Sequence, residues 1–95
     1  MVNMGERLKK LRVEKNLTQK QIAERIGLAV SAVSSYESGY RYPSYDVLMK
    51  LAEIFHVSTD YLLGITNNRN IDVTGLDDHE IEIISQLVYM LKNKQ

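Results

Sequence analysis

The chain has no cysteine, a single proline, and equal numbers of acidic and basic side chains among its 95 residues. Without cysteine it can form no disulfide, thiolate metal site or cysteine nucleophile. No apolar run approaches the roughly 18 residues that a membrane span needs. Met1-Val2-Asn3 does not lead into a signal peptide. We therefore expect a soluble, cytoplasmic protein without contact to a membrane, built as one small domain with a short extension.

Residue patterns for catalysis and for metal binding are also missing. His56 and His79 have no second ligand at metal-binding spacing. The serines have no histidine or lysine arrangement that would make one of them a nucleophile, and no glycine-rich phosphate motif is present. The sequence therefore predicts a protein that is not an enzyme and has no metal site and no cofactor.

Residues 18–39 predict two short helices joined around one glycine. Thr18 and Gln21 have the spacing of a capping box, so the first helix should begin at Lys20 or just before it. Gly27 can end this helix because glycine adopts the left-handed conformation without a steric clash. Only about three residues join the two helices, so they should cross at a large angle.

The second of these helices, at about residues 30–37, has little apolar surface. Val33 and Tyr36 lie three positions apart on its inner side, and Gly39 can end it. The opposite side carries short polar side chains, namely Ser31, Ser34, Ser35 and Ser38. A helix that shows such a face to solvent is suited to the major groove of DNA.

A series of landmarks continues in one order along residues 4–64. They are Leu17-Thr18-Gln19, Ile26-Gly27, Val33-Ser34, Tyr36-Glu37, Gly39, Pro43-Ser44, Val57-Ser58 and Tyr61-Leu62-Leu63-Gly64. In these residues the chain resembles the helix-turn-helix domain of the phage repressor and Cro-like family, also called the XRE family. The resemblance covers about two thirds of the chain. It implies an all-α fold with a five-helix, lambda-repressor-like DNA-binding domain over residues 1–64.

The other helices of that domain can be placed from caps and apolar spacing. Asn3 and Glu6 have capping spacing for a first helix that ends near Lys15, with Leu8 and Leu11 buried. Ser44 and Ser58 can cap a fourth and a fifth helix. Residues 65–76 are polar and lack helical periodicity, so we predict a linker.

The last segment, residues 77–95, predicts an amphipathic helix with two apolar stripes. Its apolar side chains are Ile81, Ile83, Ile84, Leu87, Val88, Met90 and Leu91. The stripe 81, 84, 88, 91 and the stripe 83, 87, 90 together cover too wide an arc for a helix that docks on one surface. We expect one stripe to pack on its own domain and the other on another copy of the chain. The alternative is that both fold back onto one small core.

The net charge of zero hides an uneven distribution. Residues 1–41 hold eight basic and four acidic side chains, a balance of +4, whereas residues 65–95 hold three basic and five acidic ones, a balance of −2. The local field near a DNA-facing surface attracts phosphate. The small excess predicts modest non-specific affinity for DNA.

The resemblance implies which side chains meet the bases. The exposed positions at the start of the second motif helix are Val30, Ser31, Ser34 and Ser35. A serine hydroxyl discriminates weakly between bases, and Val30 can contact a thymine methyl, so water and DNA shape should contribute to specificity. Relatives often have a capping Ser or Thr where this chain has Ala29, so the helix start, and with it these assignments, could shift by one residue.

The resemblance also implies contacts to phosphates. The expected residues are Gln19, Lys20, Tyr40, Arg41, Tyr42 and Arg12. Gln19 and Lys20 begin a helix, where free N–H groups favour anions. For Tyr40 and Tyr42 the alternative is packing under their loop, expected for at least one of them. Arg12 and Glu37 should form an ion pair that orients the second motif helix.

These observations predict a homodimeric, sequence-specific regulator of transcription from a bacterium or phage. It should bind double-stranded DNA at an inverted repeat, most simply as a repressor associated with the nucleoid. The alternative is a protein-interaction module, such as an antitoxin or an antagonist of another regulator, that acts mainly through the last helix.

Overall fold

The computed structural model of the chain describes residues 3–69 and 71–94, and within them the regular structure is entirely α-helical. The expected all-α fold is confirmed. The helices are α1 (Met4–Glu14), α2 (Gln19–Ile26), α3 (Val30–Ser38), α4 (Tyr45–Phe55), α5 (Thr59–Leu62) and α6 (Asp78–Lys92).

Side-chain caps set most of the helix starts where the sequence predicts them. Thr18 and Asp77 form complete capping boxes with Gln21 and Glu80. Asn3, Ser44 and Ser58 each accept a hydrogen bond from the backbone N–H three residues on. Each cap satisfies a helix donor that would otherwise lack a partner.

α3 begins without such a cap. Ala29 stands at its N-cap position and makes no side-chain hydrogen bond, and Val30 is the first helical residue. The helix is therefore held by what it packs against rather than by its own first turn. Gly27 and Gly39, both in the left-handed region at φ 74° and 79°, end α2 and α3 as expected. A non-glycine residue, His56 at φ 53°, caps the end of α4 in the same conformation.

α1 to α5 enclose one hydrophobic core around Leu8, Ile22, Val33, Leu51 and Phe55, each 2% exposed or less. α3 packs against both α1 and α2. This packing buries the inner face of α3 and fixes the direction in which its outer face points.

Gly5 allows α1 and α3 to approach each other closely. A Cβ atom at this position would lie 2.5 Å from the carbonyl oxygen of Glu37 and 2.6 Å from that of Tyr36. Gly5 is unfavourable for a helix by itself, but it lets the start of α1 touch the last turn of α3.

α6 contributes no buried residue. Ile81, Ile84 and Val88 are half-buried, whereas Ile83, Leu87, Met90 and Leu91 are exposed. The stripe at 81, 84 and 88 is therefore less exposed than the other one, and the alternative that both stripes fold into one core is wrong, because no side chain of α6 is buried. The core is already filled by α1 to α5, so the apolar side of α6 remains largely in solvent.

Candidate nucleic-acid interface

The outer face of α3 carries small side chains, and its inner face is buried in the core. Val33 and Tyr36 are buried beneath it. On the outside, Ser31 and Ser34 are exposed, Val30 is 42% exposed and Ser35 is half-buried. All four predicted base-contact residues are therefore on the helix surface, with Ser35 nearest its edge.

A cluster of polar side chains holds the far end of α3. Glu37 accepts from Arg12 twice, Nε to Oε2 at 2.6 Å and Nη2 to Oε1 at 3.1 Å. Arg12 also donates from Nη1 to the carbonyl oxygen of Leu17 at 2.8 Å. Gln19 donates from Nε2 to Oε1 of Glu37 at 3.1 Å. The cluster thus joins α1, the turn before α2, α2 itself and α3 in one hydrogen-bonded unit.

The Arg12–Glu37 ion pair of this cluster is largely shielded from solvent. The side chains of Arg12 and Glu37 are 14% and 5% exposed. The hydrogen bond to Glu37 raises the pKa of Arg12 above its ordinary value, although burial opposes the shift. Arg12 is therefore charged at every physiological pH. Three of its donors are taken by protein acceptors, so the remaining N–H groups alone could reach a phosphate.

The first turn of α2 lies beside this cluster. Gln19 is half-buried and Lys20 is exposed. The hydrogen bond to Glu37 fixes the amide of Gln19 at the helix start, where backbone N–H groups have no partner within the helix. Sequence reasoning treated Gln19 and Glu37 separately, and nothing in their spacing reveals that they meet.

The loop after α3 projects its side chains into solvent. Tyr40 is 84% exposed, Tyr42 is 75% exposed, and Arg41 is exposed. The alternative that at least one of these tyrosines packs under the loop is wrong, because the backbone N–H groups of residues 40 and 41 turn back onto the Ser35 carbonyl and leave the side chains outside. A further tyrosine, Tyr45 at the start of α4, is 72% exposed.

Arg7, one of the eight basic residues of residues 1–41, is not among the exposed cations that could attract DNA. Its side chain is buried, donating to the carbonyl oxygens of Tyr61 and Thr66 at 2.9 Å each. The sequence carried a signal for this burial, since Arg7 lies three residues after Met4 and four before Leu11 on the apolar face of α1. The exposed cations of residues 3–41 are Lys9, Lys10, Lys15, Lys20, Arg25 and Arg41.

Comparison with known proteins agrees with this geometry. The model of a family described as "Helix-turn-helix" matches residues 8–62. The chain belongs to this family of Cro/C1-type, or XRE, regulators. Its members are DNA-binding transcription regulators and not enzymes. The matched region contains α2, α3 and the loop that follows.

The similarity to individual relatives covers only part of each protein. The transcriptional regulator ImmR of Bacillus subtilis is 44% identical over 63 residues, which are 66% of this chain and 50% of ImmR. The chain thus spans about half the length of the curated relatives it matches first.

Two solved structures share the fold. The P22 c2 repressor in complex with a synthetic operator is 28% identical with a TM-score of 0.64, over 66% of this chain and 96% of that one. A transcriptional regulator from Listeria innocua is 28% identical with a TM-score of 0.65, over 98% of this chain and 97% of that one. The second similarity extends over nearly the whole chain, including α6.

The described residues, 3–69 and 71–94, contain neither a helix that could span a membrane nor a cluster of metal-binding side chains. No helix among them is long and apolar enough to cross a membrane. Within the same residues, no group of three or more His, Cys, Asp or Glu side chains could hold a metal ion.

Proposed function

We propose that this protein is a sequence-specific repressor of transcription that binds an inverted-repeat operator as a homodimer. The observation that carries the proposal is the outer face of α3, where small side chains, most of them serines, face solvent while Val33 and Tyr36 on the inner face are buried. Such a helix can enter the major groove, about 12 Å wide, without a bulky side chain that would hold it out. The nucleoid of the cytoplasm is the place where such a protein works.

In this proposal Val30, Ser31, Ser34 and Ser35 meet the base edges. Because hydroxyl groups can both donate and accept, these contacts give limited discrimination, and bridging water and DNA shape supply the rest. The cluster around Glu37 supports this arrangement, since it fixes the end of α3 against α1 and α2. A helix held at a fixed angle can place small side chains reproducibly on a base step.

Phosphate contacts fall on both sides of α3 in the proposal. Gln19 and Lys20 at the start of α2 form one group, with Arg12 behind them. Tyr40, Arg41 and Tyr42 form the other. The exposure of Lys20 and of the three loop residues supports these roles, because contacts to the DNA phosphates need donor groups that are accessible on the protein surface.

α6 forms the dimer in this proposal. Four of its apolar side chains, Ile83, Leu87, Met90 and Leu91, are exposed on one short helix, a surface that favours association. Two copies joined through α6 would offer two α3 helices to half-sites about 34 Å apart. We accordingly propose residues 1–64 as the DNA-binding unit, 65–76 as the linker and 77–95 as the dimerisation element.

The test is selection of bound sequences from random double-stranded DNA with the full chain, followed by binding titrations at several salt concentrations. We expect an enriched inverted repeat and an affinity that falls steeply as salt rises. Enrichment of a single asymmetric site would contradict the dimeric mode, and the absence of any enriched sequence would contradict the function.

The exposed face of α6 also favours a second candidate function, a protein-interaction module that antagonises another regulator or a toxin. In that case α6 would bind a different protein and α3 would have no operator. Tight association with another protein, together with no affinity for any duplex at low salt, would favour this second function.

A further inference from the structure

The start of the linker is fastened to the DNA-binding unit rather than free. Arg7 lies on α1 and is only 7% exposed. It donates from Nη1 to the carbonyl oxygens of Tyr61 and Thr66, and from Nη2 to Oδ1 of Asn67 at 3.0 Å. Its guanidinium carbon lies 4.1 Å from the centre of the Tyr61 ring.

A second arginine extends this attachment along the linker. Arg69 lies over the same Tyr61 ring, 5.6 Å from its centre, and its Nη1 is 3.4 Å from Oε2 of Glu14. Glu14 is the last residue of α1. Residues 65–69 therefore run along α1 with contacts near both of its ends.

Residues 71–76 of the linker also make local contacts. Ile71 and Asp72 line a groove together with His56 and other residues at the end of α4. The carboxylate of Asp72 accepts from the backbone N–H of Thr74 at 2.9 Å, and the N–H of Leu76 donates to the carbonyl oxygen of Val73. Residues 72–76 are thus held by local hydrogen bonds before α6 begins at Asp78.

We propose that Arg7 sets the spacing between half-sites that the dimer accepts, because its hydrogen bonds to Thr66 and Asn67 hold the start of a fastened segment, residues 65–69, that Arg69 extends and that is thereby removed from the flexible reach of the linker. This inference rests on the proposed function. A free chain spans at most about 3.5 Å per residue, so five released residues would add at most about 17 Å for each copy. For two copies the largest gain is about 35 Å, one full turn of DNA. Arg7 is a positioning residue that contacts no DNA.

An arginine suits this position better than a lysine. Its planar guanidinium presents several donors in fixed directions and stacks on an aromatic ring, and both features are used here. A lysine keeps the charge but cannot serve three acceptors in the same geometry. Arg7→Lys should therefore loosen the attachment while leaving the positive charge in place.

The experiment compares full-length wild type, Arg7→Lys and Asn67→Ala on operators that selection has identified. One operator has its natural spacing, a second has ten base pairs inserted between the half-sites, and a third is a single half-site. Wild type should bind the second at least tenfold more weakly than the first. In Arg7→Lys the ratio of these two affinities should fall about fivefold, with single half-site binding unchanged. Asn67→Ala should change the ratio in the same direction but less, because one of three acceptors is lost.

A measurement without DNA tests the attachment itself. Trypsin cuts after arginine, and Arg69 lies within the fastened segment. Cleavage after Arg69 should be about tenfold faster in Arg7→Lys than in wild type. Arg25→Lys makes the same exchange at an exposed position and should leave both the cleavage rate and the spacing ratio unchanged.

A lengthened chain keeps the proposal testable if Arg7→Lys does not fold. Five glycine and serine residues inserted after Gly75 restore the reach that Arg7 removes, and should reproduce the altered ratio. Wild-type ratios and wild-type cleavage in Asn67→Ala and Arg7→Lys, or no effect of the insertion, would overturn the proposal. If wild type binds no operator at all, the proposed function fails, and the tryptic rates still decide whether Arg7 fastens the linker.

Discussion

Arg12 and Glu37 form a two-point ion pair across 25 residues of sequence, between the last turn of α1 and the end of α3. The pair is almost enclosed, and its carboxylate also accepts from Gln19. α3 lacks a side-chain cap at Ala29, so it is held by its packing against α1 and α2 and by the contacts at its C-terminal end. This pair is the strongest electrostatic contact there.

Removing the carboxylate charge should destabilise the fold. Glu37→Gln leaves the Arg12 guanidinium without its counter-charge in a largely enclosed position. Loss of one partner of a buried pair costs about 3–5 kcal/mol, and the remaining exposure of Arg12 reduces our expectation to about 2–3 kcal/mol. Urea unfolding monitored by circular dichroism measures the change.

Two further variants separate the ion pair from a general effect of charge. Glu24→Gln, on the exposed side of α2, should change the unfolding free energy by less than about 0.5 kcal/mol. The double variant Arg12→Leu/Glu37→Leu should lose less than the sum of its single variants. Equal losses in Glu37→Gln and Glu24→Gln would contradict the role of the pair.

Gly5→Ala should destabilise the protein although alanine is the better helix former. Helix propensity alone predicts a gain of about 1 kcal/mol. The added methyl group would lie against the carbonyl oxygens of Tyr36 and Glu37, and overpacking of this kind costs about 1–3 kcal/mol. We expect a lower melting temperature, whereas Lys9→Ala at an exposed site of α1 should have little effect. A stabilised Gly5→Ala would show that α1 and α3 do not meet closely.

Arg41→Ala should weaken binding to all DNA sequences about equally. Arg41 is exposed in the loop after α3, where we propose a phosphate contact. Losing one such contact should reduce the slope of log affinity against log salt by about one. Lys94→Ala removes the same charge just beyond α6 and serves as the control. Unchanged affinity and slope in Arg41→Ala would place the loop away from DNA.

Ser34→Ala should alter the preference among operators and leave non-specific binding intact. Ser34 is exposed in the middle of the outer face of α3, and its hydroxyl can only discriminate bases that it reaches. Competition among operator variants, set beside binding to random duplex, measures the two effects separately. A uniform loss of affinity would assign Ser34 to a phosphate instead.

Truncation after Gly75 should leave a folded monomer with poor operator affinity. Such a chain keeps the core and the attachment of residues 65–69 but lacks α6. In the full chain, Leu87→Lys should give the same monomer, because it places a charge on the exposed apolar face. Gln86→Lys, on the neighbouring exposed position, should still dimerise. Analytical ultracentrifugation distinguishes these states, and a truncated chain that remains dimeric would remove α6 from the interface.

Local patterns predicted the helices well. Thr18, Ser44, Ser58 and Asp77 cap the helices that their spacing indicates. Gly27 ends α2 and Gly39 ends α3, both in the left-handed conformation. The exposed serines of α3 follow from a period of 3.6 residues applied to Val33 and Tyr36. These features are recoverable because each depends on residues within one or two turns of each other.

α6 shows what local sequence patterns cannot predict. Its apolar spacing predicted a helix with two apolar stripes, and the helix is present with its side chains largely in solvent. Periodicity tells which residues share a face. Whether the rest of the chain has surface left to cover that face depends on how completely α1 to α5 have filled their own core.

The sequence by itself therefore determined the helices, their ends and the polar face of α3, since caps, glycine and periodicity act through neighbouring residues. The tertiary structure alone decided that Gln19 binds Glu37, that Gly5 admits the end of α3, and that Arg7 holds the linker instead of facing DNA. The physical reason is the distance along the sequence between the residues that meet. Each of these contacts joins side chains or backbone atoms from distant parts of the sequence, and only the packing of the whole core brings them within bonding distance.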